Sequence, residues 1–373
     1  MKKRLKGTWR AFVILFIVGT LLIQSGCGFK DIDKRIFVLS IGVDHTDNEE
    51  KPYRVILKLS VPSGSLKESG AEYTYLIKES ESISTAIRLL KTETDKELDF
   101  GHAKVILFGE EILHHDYREI MDFFLRRRDI QTVSWVGVGK PSAEDVLTAE
   151  PNSEMAGSHA LFNYFDQNGV ESQLIVTTYL FDFRRRVLEK GIDPILPILM
   201  AKENNKRIDL NKSIVVNDKN EVLTLNEKQT AIYNLLTNNI ERLDIRVHNE
   251  DVNFTVAIDT ANVGYQLITE QKKKPIIEMD VEMIGIIQEA DMITNPEKLR
   301  AYSNATSKTV KKDVLETLTQ FQKNEMDPIG FGVRYKATRL PNNKRNQEWQ
   351  SLYPEVEFKI NVNATLKSTG VIE

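Results

Sequence analysis

The chain has 373 residues, a formal net charge of −4 and a single cysteine. This acidic balance argues against nucleic acid as a partner, because phosphate binding needs a basic face. If the one cysteine, Cys27, is modified, no thiol remains for a disulfide, a cysteine-ligated metal site or a cysteine nucleophile. Stability must then come from ordinary hydrophobic cores, and the length suffices for two or three of them.

Residues 1–27 have the pattern of a lipoprotein signal peptide. Five basic residues flank an almost wholly apolar run over 11–23, and small residues stand directly before Cys27. An apolar run of this length is typical of an export signal and is too short to span a bilayer. The pattern predicts cleavage after residue 26 and attachment of lipid to the Cys27 thiol, although Gln24 stands where Leu is commonest. An uncleaved anchor is the alternative interpretation.

Removal of residues 1–26 takes away five basic residues and no acidic one, so the formal charge falls from −4 to −9. A broad electrostatic attraction to anionic lipid is therefore not expected. Two or more acyl chains on Cys27 would nevertheless hold the protein stably on a membrane. No later stretch reaches about 18 apolar residues, so we expect no transmembrane helix in the mature chain.

The N-terminal half predicts strands and helices in mixed order. Residues 53–61 alternate apolar and polar side chains, which indicates a half-buried strand that forms a hairpin with the strand before it. Residues 161–183 favour a helix followed by a loop. The other expected elements are strands near 36–43, 104–108 and 133–138 and helices near 83–90, 113–124 and 143–147.

The C-terminal half follows a boundary expected between residues 191 and 211, where two prolines interrupt regular structure. Asn226 is a candidate N-cap for one helix, and Asn295-Pro296 is a good start for a long one. No Gly or Pro occurs over 297–322, and the apolar residues there keep a single stripe. The other expected elements are a hairpin over 213–224 and strands near 252–258, 277–283 and 356–366.

Alternating strands favour antiparallel or mixed sheets with one solvated face over a doubly wound parallel fold. The expected fold class is therefore α+β, with two to three compact domains and one long helix in the C-terminal half. We expect a signal peptide at 1–26, an N-terminal α+β region at 28–200 and a C-terminal α+β domain at 205–373.

The sequence offers no complete catalytic or metal-binding motif. The glycines of 137–140 lack the spacing of a phosphate loop, and Pro141 removes a backbone donor that phosphates would need. His114 and His115 are adjacent, so on a helix their side chains diverge by about 100° and do not converge on one metal. Neither G-x-S-x-G nor H-E-x-x-H occurs. We expect no cofactor, no metal and no enzymatic activity.

Two arginine clusters, at 126–128 and 184–186, each follow an apolar or aromatic stretch. Charge at a helix C-terminus, which the helix dipole favours, is one interpretation. Contact with lipid headgroups or with an acidic partner surface is the other. Under both interpretations, neutralising residues 184–186 should leave folding intact.

Several short segments occur in a characteristic order along the mature chain. They read IFVLSIGVD at 36–44, FGHAKVI at 100–106, GE at 109–110, DFFLRRRD at 122–129 and DPIGFG at 327–332. Trp349 and a closing strand to Gly370 follow. Together with the lipobox-like cysteine, these segments resemble the Ger(x)C family, the lipoprotein C subunits of nutrient germinant receptors in spore-forming bacteria. The departures are Val43, where Ile is typical, and two additional arginines in the fourth segment.

The resemblance implies an α+β fold and a non-enzymatic subunit on the outer face of the spore inner membrane. It also implies A-type and B-type integral membrane subunits as partners, and no defined ligand site. Two of the resembling segments are the first candidates for partner contact, although their glycines could simply serve tight turns. The candidate residues are Gly101, His102, Lys104, Asp327, Gly330, Phe331 and Gly332.

Two other functional classes stay open at this point. A solute-binding lipoprotein of a transporter suits the lipid anchor and the length of the chain, but the sequence lacks repeated βαβ units. An exported enzyme would need a set of catalytic residues, and the sequence contains no complete catalytic motif.

Overall fold

The computed structural model describes residues 9, 34–61, 72–115, 117–150, 161, 165, 172–203, 205–237, 242–248, 253–269, 274–291 and 296–368. Cys27 lies outside the described residues, as do the predicted signal peptide apart from residue 9 and most of the helix expected after residue 161. Residues 1–35 and residues 36–373 form two separate units. The architecture below is that of the second unit.

In the described residues, nine strands form one mixed sheet. They are β1 Arg35–His45, β2 Tyr53–Val61, β3 Glu72–Ser80, β4 Glu97–Asp99, β5 Val105–Gly109, β6 Trp135–Lys140, β7 Ile195–Lys202, β8 Arg207–Val216 and β9 Val222–Leu225. The order is β3-β2-β1-β5-β6-β7-β8-β9, with β4 paired to β1 beside this path. The central strands β1, β5, β6 and β7 run parallel, and the flanking strands are antiparallel.

Helices cover both faces of this first sheet. They are α1 Ile83–Leu90, α2 Glu110–His114, α3 Tyr117–Arg126, α4 Ala143–Leu147 and α5 Leu180–Leu188. Helices α1, α3 and α5 pack on one face in a cluster that includes Phe108. Helix α4 packs on the other face against Leu107 and Leu199. Because both faces are covered, β5 is apolar and buried throughout, as is typical of parallel strands.

A second sheet of four strands lies in the C-terminal part of the described residues. Its strands are β10 Leu243–Val247, β11 Phe254–Ile268, β12 Ile276–Ala290 and β13 Glu357–Leu366, paired in that order. Strands β12 and β13 are parallel, and the other two pairs are antiparallel. The helices of this part are α6 Glu227–Leu236, α7 Leu299–Lys323, α8 Phe331–Ala337 and α9 Arg345–Leu352.

The long helix and its single buried stripe are confirmed by α7. Its buried residues include Tyr302, Val310, Val314 and Leu318, which recur every four to eight positions on one face and join the core of the second sheet. The capping role of Asn226 is also confirmed, because its side chain accepts from the Gln229 backbone amide and Gln229 bonds back in a full capping box.

The α+β class is thus confirmed, with two corrections of detail. Helices cover both faces of the first sheet, although the alternating strands favoured one solvated face. The single helix expected over 113–124 is instead α2 and α3, because His115 takes an extended backbone at φ −101° and ψ −168°.

The expected interruption of regular structure by two prolines between residues 191 and 211 is wrong, because β7 runs through Pro197. The two halves of the unit share structure across the expected border near residue 205. Strands β8 and β9 complete the first sheet after that point. Ile195 and Val215 of the first sheet belong to the same hydrophobic core as the second sheet. Among the described helices, none is long and apolar enough to cross a membrane.

Candidate functional site

Residues 327–332, here the Asp327 turn, fold around one buried carboxylate. Oδ1 of Asp327 accepts from the backbone amides of Gly330 at 2.8 Å and Phe331 at 3.0 Å, and Oδ2 accepts from Gly332 at 2.8 Å. Burial raises the pKa of Asp327 to about 6, while these bonds and one from the Trp349 side chain act in the opposite direction. The carboxylate therefore organises the start of α8.

Two glycines allow the Asp327 turn to touch the loop before β7. Gly330 has φ +87° and Gly191 has φ +86°, a backbone region that side chains other than glycine rarely adopt. A Cβ on Gly332 would lie 2.7 Å from the Gly191 Cα atom and 2.5 Å from Cδ1 of Trp349. The close approach of these two backbones explains the glycines of the DPIGFG segment.

Arg186 fastens α5 to the Asp327 turn. Its guanidinium donates to the carbonyl of Pro328 at 2.9 Å, to the Tyr233 hydroxyl at 3.0 Å and to Oδ2 of Asp182 at 2.9 Å. A weaker bond reaches the carbonyl of Asp193 at 3.3 Å. Arg186 is buried, so we expect its neutralisation to destabilise the fold, in contrast to the prediction that neutralising residues 184–186 leaves folding intact.

Asp193 forms the second link to the same turn. Its backbone amide donates to the carbonyl of Asp327 at 3.0 Å, and its Oδ2 accepts from the Asp327 amide at 2.6 Å. Burial raises the pKa of Asp193 to about 7, and the nearby Asp327 carboxylate acts in the same direction. Asp327, Asp193 and Arg186 together are the interlock between the two halves of the unit.

The raised pKa of Asp193 predicts a pH dependence of stability. Between about pH 4 and 7 the folded protein binds more protons here than the unfolded chain, so the free energy of unfolding falls as pH rises through this window. The slope from one such group is at most about 1.4 kcal/mol per pH unit. Asp193→Asn keeps an oxygen that can accept from Asp327, so urea unfolding of this variant at pH 5 and pH 8 should show a flatter profile. Equal profiles for variant and wild type would contradict the shift.

A cavity of about 310 Å³ opens beside the interlock. Its wall mixes aromatic rings with charges of both signs, and an ion pair between Lys219 and Glu325 at 2.9 Å lies at its lining. The described lining residues include no Ser, Thr, Cys or His. Residues that contribute to the wall are Tyr117, Arg118, Asp193, Lys219, Trp349 and Tyr353.

The other candidate segment, residues 100–104, is here the edge loop. The Gly101 amide donates to Oδ1 of Asp99 at 2.9 Å, and the Gln131 side chain bonds both to the Gly101 carbonyl at 2.7 Å and to Nζ of Lys104 at 2.8 Å. His102 is exposed, and its ring lies edge-on to Phe37 at 4.6 Å. The edge loop therefore presents polar groups at the surface.

The first arginine cluster supports the edge loop. The Arg127 guanidinium lies over the Phe100 ring at 4.1 Å and forms an ion pair with Asp129. Arg126 pairs with Asp122 one turn earlier on α3, and Arg128 is exposed. Helix-end charge and cation–π packing account for Arg126 and Arg127.

The segment at 36–44 has a structural role of its own. The Asp44 carboxylate accepts from the first backbone amides of α4, Ala143 at 2.7 Å and Glu144 at 3.0 Å. A Cβ on Gly109 would lie 2.3 Å from Oδ1 of Asp44. Because this carboxylate occupies the amides at the start of α4, a phosphate has no free donors there.

The structure places the seven candidate residues at two separate locations. Gly101, His102 and Lys104 lie in the surface edge loop. The other four candidates, Asp327, Gly330, Phe331 and Gly332, are buried, so they act inside the protein, at the interlock. Sequence analysis missed Arg186 and Asp193, although Gly191 and the proline after Asp193 marked a tight turn. In the described ranges, no group of three or more His, Cys, Asp or Glu is arranged to hold a metal ion.

The fold and the interlock define a two-sheet α+β protein whose halves are joined through a buried carboxylate turn. Two family models match it in succession: the spore germination protein N-terminal domain over residues 28–201, and the spore germination B3/GerAC-like C-terminal domain over residues 211–370. The chain therefore belongs to the Ger(x)C family of spore germination proteins.

Relatives of full length support this assignment. The putative spore germination protein YfkR of Bacillus subtilis (strain 168) is 22% identical, with 94% of each chain covered. Spore germination protein GerQC of Bacillus cereus is 22% identical, with 98% of this chain and 100% of the relative covered. Spore germination protein KC of Bacillus subtilis (strain 168) is 20% identical, with 97% and 96% covered.

A solved structure shares the fold. The crystal structure of the GerBC protein superimposes with a TM-score of 0.56 at 16% identity, covering 88% of this chain and 98% of that one. Family membership supports a role as the C subunit of a germinant receptor, and this is not a known enzyme family. The solute-binding alternative is not favoured.

Proposed function

We propose that the protein is the lipid-anchored C subunit of a spore nutrient germinant receptor, a non-enzymatic binding and scaffold component that the germination response needs. The observation that carries this proposal is the succession of two spore germination domains along residues 28–370. In this proposal the protein lies on the outer face of the spore inner membrane, beside A-type and B-type integral membrane subunits. Cys27 carries the lipid.

A lipid tether suits a subunit of this charge. The mature chain is acidic, so membrane residence cannot depend on a broad polybasic surface. Acyl chains on Cys27 would confine the folded unit to a thin layer beside the membrane. That confinement raises its effective concentration towards membrane partners without a large intrinsic affinity.

The proposed regions 28–200 and 205–373 are best understood as sequence modules that fold into one body. The limits of the family models, at 201 and 211, support the division. The interlock, and the strands that complete the first sheet after residue 205, support the packing of the two regions into one folded unit. Partner contact would then use surface groups such as His102 and Lys104, with the buried Asp327 turn keeping the halves together.

Cys27→Ala tests the proposal in spores that depend on this receptor. We expect most of the protein to leave the membrane fraction and most of the nutrient-triggered germination to be lost, because the thiol is the only lipid attachment point. Germination triggered without nutrient should be unchanged. Gln24→Leu is the matched control, since it moves the signal towards the common pattern and should preserve both properties. Normal membrane residence and normal nutrient response in Cys27→Ala would contradict the proposal.

A further inference from the structure

The outer face of α5 and the loop before β6 expose large apolar side chains. The exposed fractions are 51% for Val133, 49% for Phe181 and 66% for Leu188. The Phe181 amide donates to the carbonyl of Thr132 at 3.0 Å, so Val133 and Phe181 belong to one surface. Exposed apolar groups that cluster in this way mark contact surfaces more often than scattered ones do.

A cation stands within this apolar group. Arg184 follows Phe181 by three positions and precedes Leu188 by four, so the three side chains share one face of α5. The acidic groups of the same helix region are neutralised, because Asp182 is paired with Arg185 and Arg186 and Glu189 is paired with Lys336. We define Val133, Phe181, Arg184 and Leu188 as the edge patch.

The edge patch lies at the amino-terminal edge of the parallel strands. Tyr179, just before α5, bridges to Trp135 at the first position of β6, and the Trp135 amide bonds to the edge loop at Lys104. Ser40 of β1 pairs with Val105, the first residue of β5. Strand β1 begins five residues before Ser40, so it extends about 16 Å beyond this edge, towards the N-terminus of the chain.

A lipid on Cys27 would be joined to the unit through the N-terminal end of β1. Cys27 stands eight residues before the first residue of β1. Eight extended residues span at most about 28 Å. A lipid on Cys27 would therefore hold the start of β1 within about 28 Å of the bilayer surface, and within this reach the sheet edge from which β1 extends can meet that surface.

We propose that the edge patch sits on the lipid bilayer, with Phe181, Val133 and Leu188 at the boundary between headgroups and acyl chains and Arg184 among the phosphates. This inference rests on the proposed lipid anchor. Apolar side chains with an interspersed cation on a helix face fit the membrane interface, where rings and aliphatic groups are buried and the guanidinium stays with the phosphates. The patch would fix the orientation of the tethered unit, with the edge loop facing the membrane.

The test uses the lipidated protein, in which the Cys27 sulfur is blocked and a new cysteine is the only free thiol. Val133→Cys, Phe181→Cys and Leu188→Cys each receive a polarity-sensitive fluorophore. The labelled proteins are mixed with vesicles of phosphatidylcholine and phosphatidylglycerol that contain nitroxide-labelled acyl chains. Leu340→Cys is the matched control, because Leu340 is 82% exposed but lies between α8 and α9 in the C-terminal part.

We expect a several-fold greater loss of fluorescence at positions 133, 181 and 188 than at 340, for protein that floats with the vesicles. Flotation with equal, weak quenching at all four positions would contradict contact of the edge patch with the bilayer but would agree with a lipid anchor on Cys27. Failure to float would contradict both the contact and the anchor. If the fluorophores are shielded from solvent only when integral membrane subunits are added, the patch binds a protein partner, and this result would also overturn the proposal.

Discussion

Replacing Arg186 with alanine should lower the free energy of unfolding by about 3 kcal/mol, because a buried guanidinium that serves four acceptors is lost. The Pro328 carbonyl and the Tyr233 hydroxyl would lose their donor inside the protein, and Asp182 would keep only Arg185 as a partner. The urea midpoint of the mature protein measures this loss, and it can be followed by tryptophan fluorescence, to which Trp135 and Trp349 contribute.

Arg184→Ala is the matched control for the Arg186 prediction. Arg184 is exposed on the same helix, two positions earlier, so its removal should change the free energy of unfolding by no more than about 0.5 kcal/mol. Arg186→Lys should fall between the two, since an ammonium keeps the charge but cannot reach all four acceptors in a fixed plane. Equal midpoints for Arg186→Ala and Arg184→Ala would show that the Arg186 bonds of the interlock contribute nothing to stability.

Gly332→Ala should destabilise the protein by about 2–3 kcal/mol through overpacking. The new Cβ would lie 2.7 Å from the Gly191 Cα atom and 2.6 Å from Nε1 of Trp349, and the backbone of Gly191 cannot yield as a flexible side chain would. The indole that bonds to Asp327 would be displaced at the same time. We therefore expect a lower urea midpoint together with a changed tryptophan emission spectrum in the native state, through the contribution of Trp349.

Gly264→Ala provides the control for this substitution. Gly264 lies in β11, and a Cβ added there would meet no described atom within 4 Å, so alanine should be neutral or slightly stabilising. An unchanged midpoint and a wild-type tryptophan emission spectrum in Gly332→Ala would mean that the backbones of Gly191 and Gly332 do not approach each other closely.

Local patterns predicted the elements whose signals are local. The hairpin of β1 and β2, the N-cap at Asn226 and the stripe of α7 each depend on residues a few positions apart. Alternation, capping and helical spacing are patterns that a short stretch of sequence contains in full. For that reason the fold class and most element positions follow from the sequence.

The parallel centre of the first sheet could not be predicted in the same way. Strands β5 and β6 are short, buried on both faces and nearly free of polar residues, so their periodicity says nothing about direction. The alternating flanking strand β2 is a clearer signal and is indeed antiparallel to its neighbours. Direction in the centre is decided by helices that cover both faces, which is a tertiary effect.

The interlock was missed for a related reason. Arg186 bonds to Pro328 across 142 positions of the chain, and no local pattern reports such a contact. An arginine run also has the composition of a solvated helix end, so one buried member is hidden among two exposed ones. Asp193, in contrast, lies two positions after Gly191 and directly before Pro194. An acidic residue within such a turn was a signal that could have pointed to Asp193.

The interlock and the edge patch would have different roles in a tethered subunit. The interlock keeps the two halves as one body, and the patch sets the direction from which that body meets the membrane. Both depend on the lipid at Cys27 for their place beside membrane partners.

The intact mass of the mature protein, extracted from spore membranes, is the decisive check of the lipid anchor. We predict the mass of residues 27–373 plus a diacylglyceryl group on Cys27, with or without a third acyl chain. A chain that keeps residues 1–26, or one that begins at Cys27 with a free thiol, would show that the protein is held at the membrane in some other way or not at all.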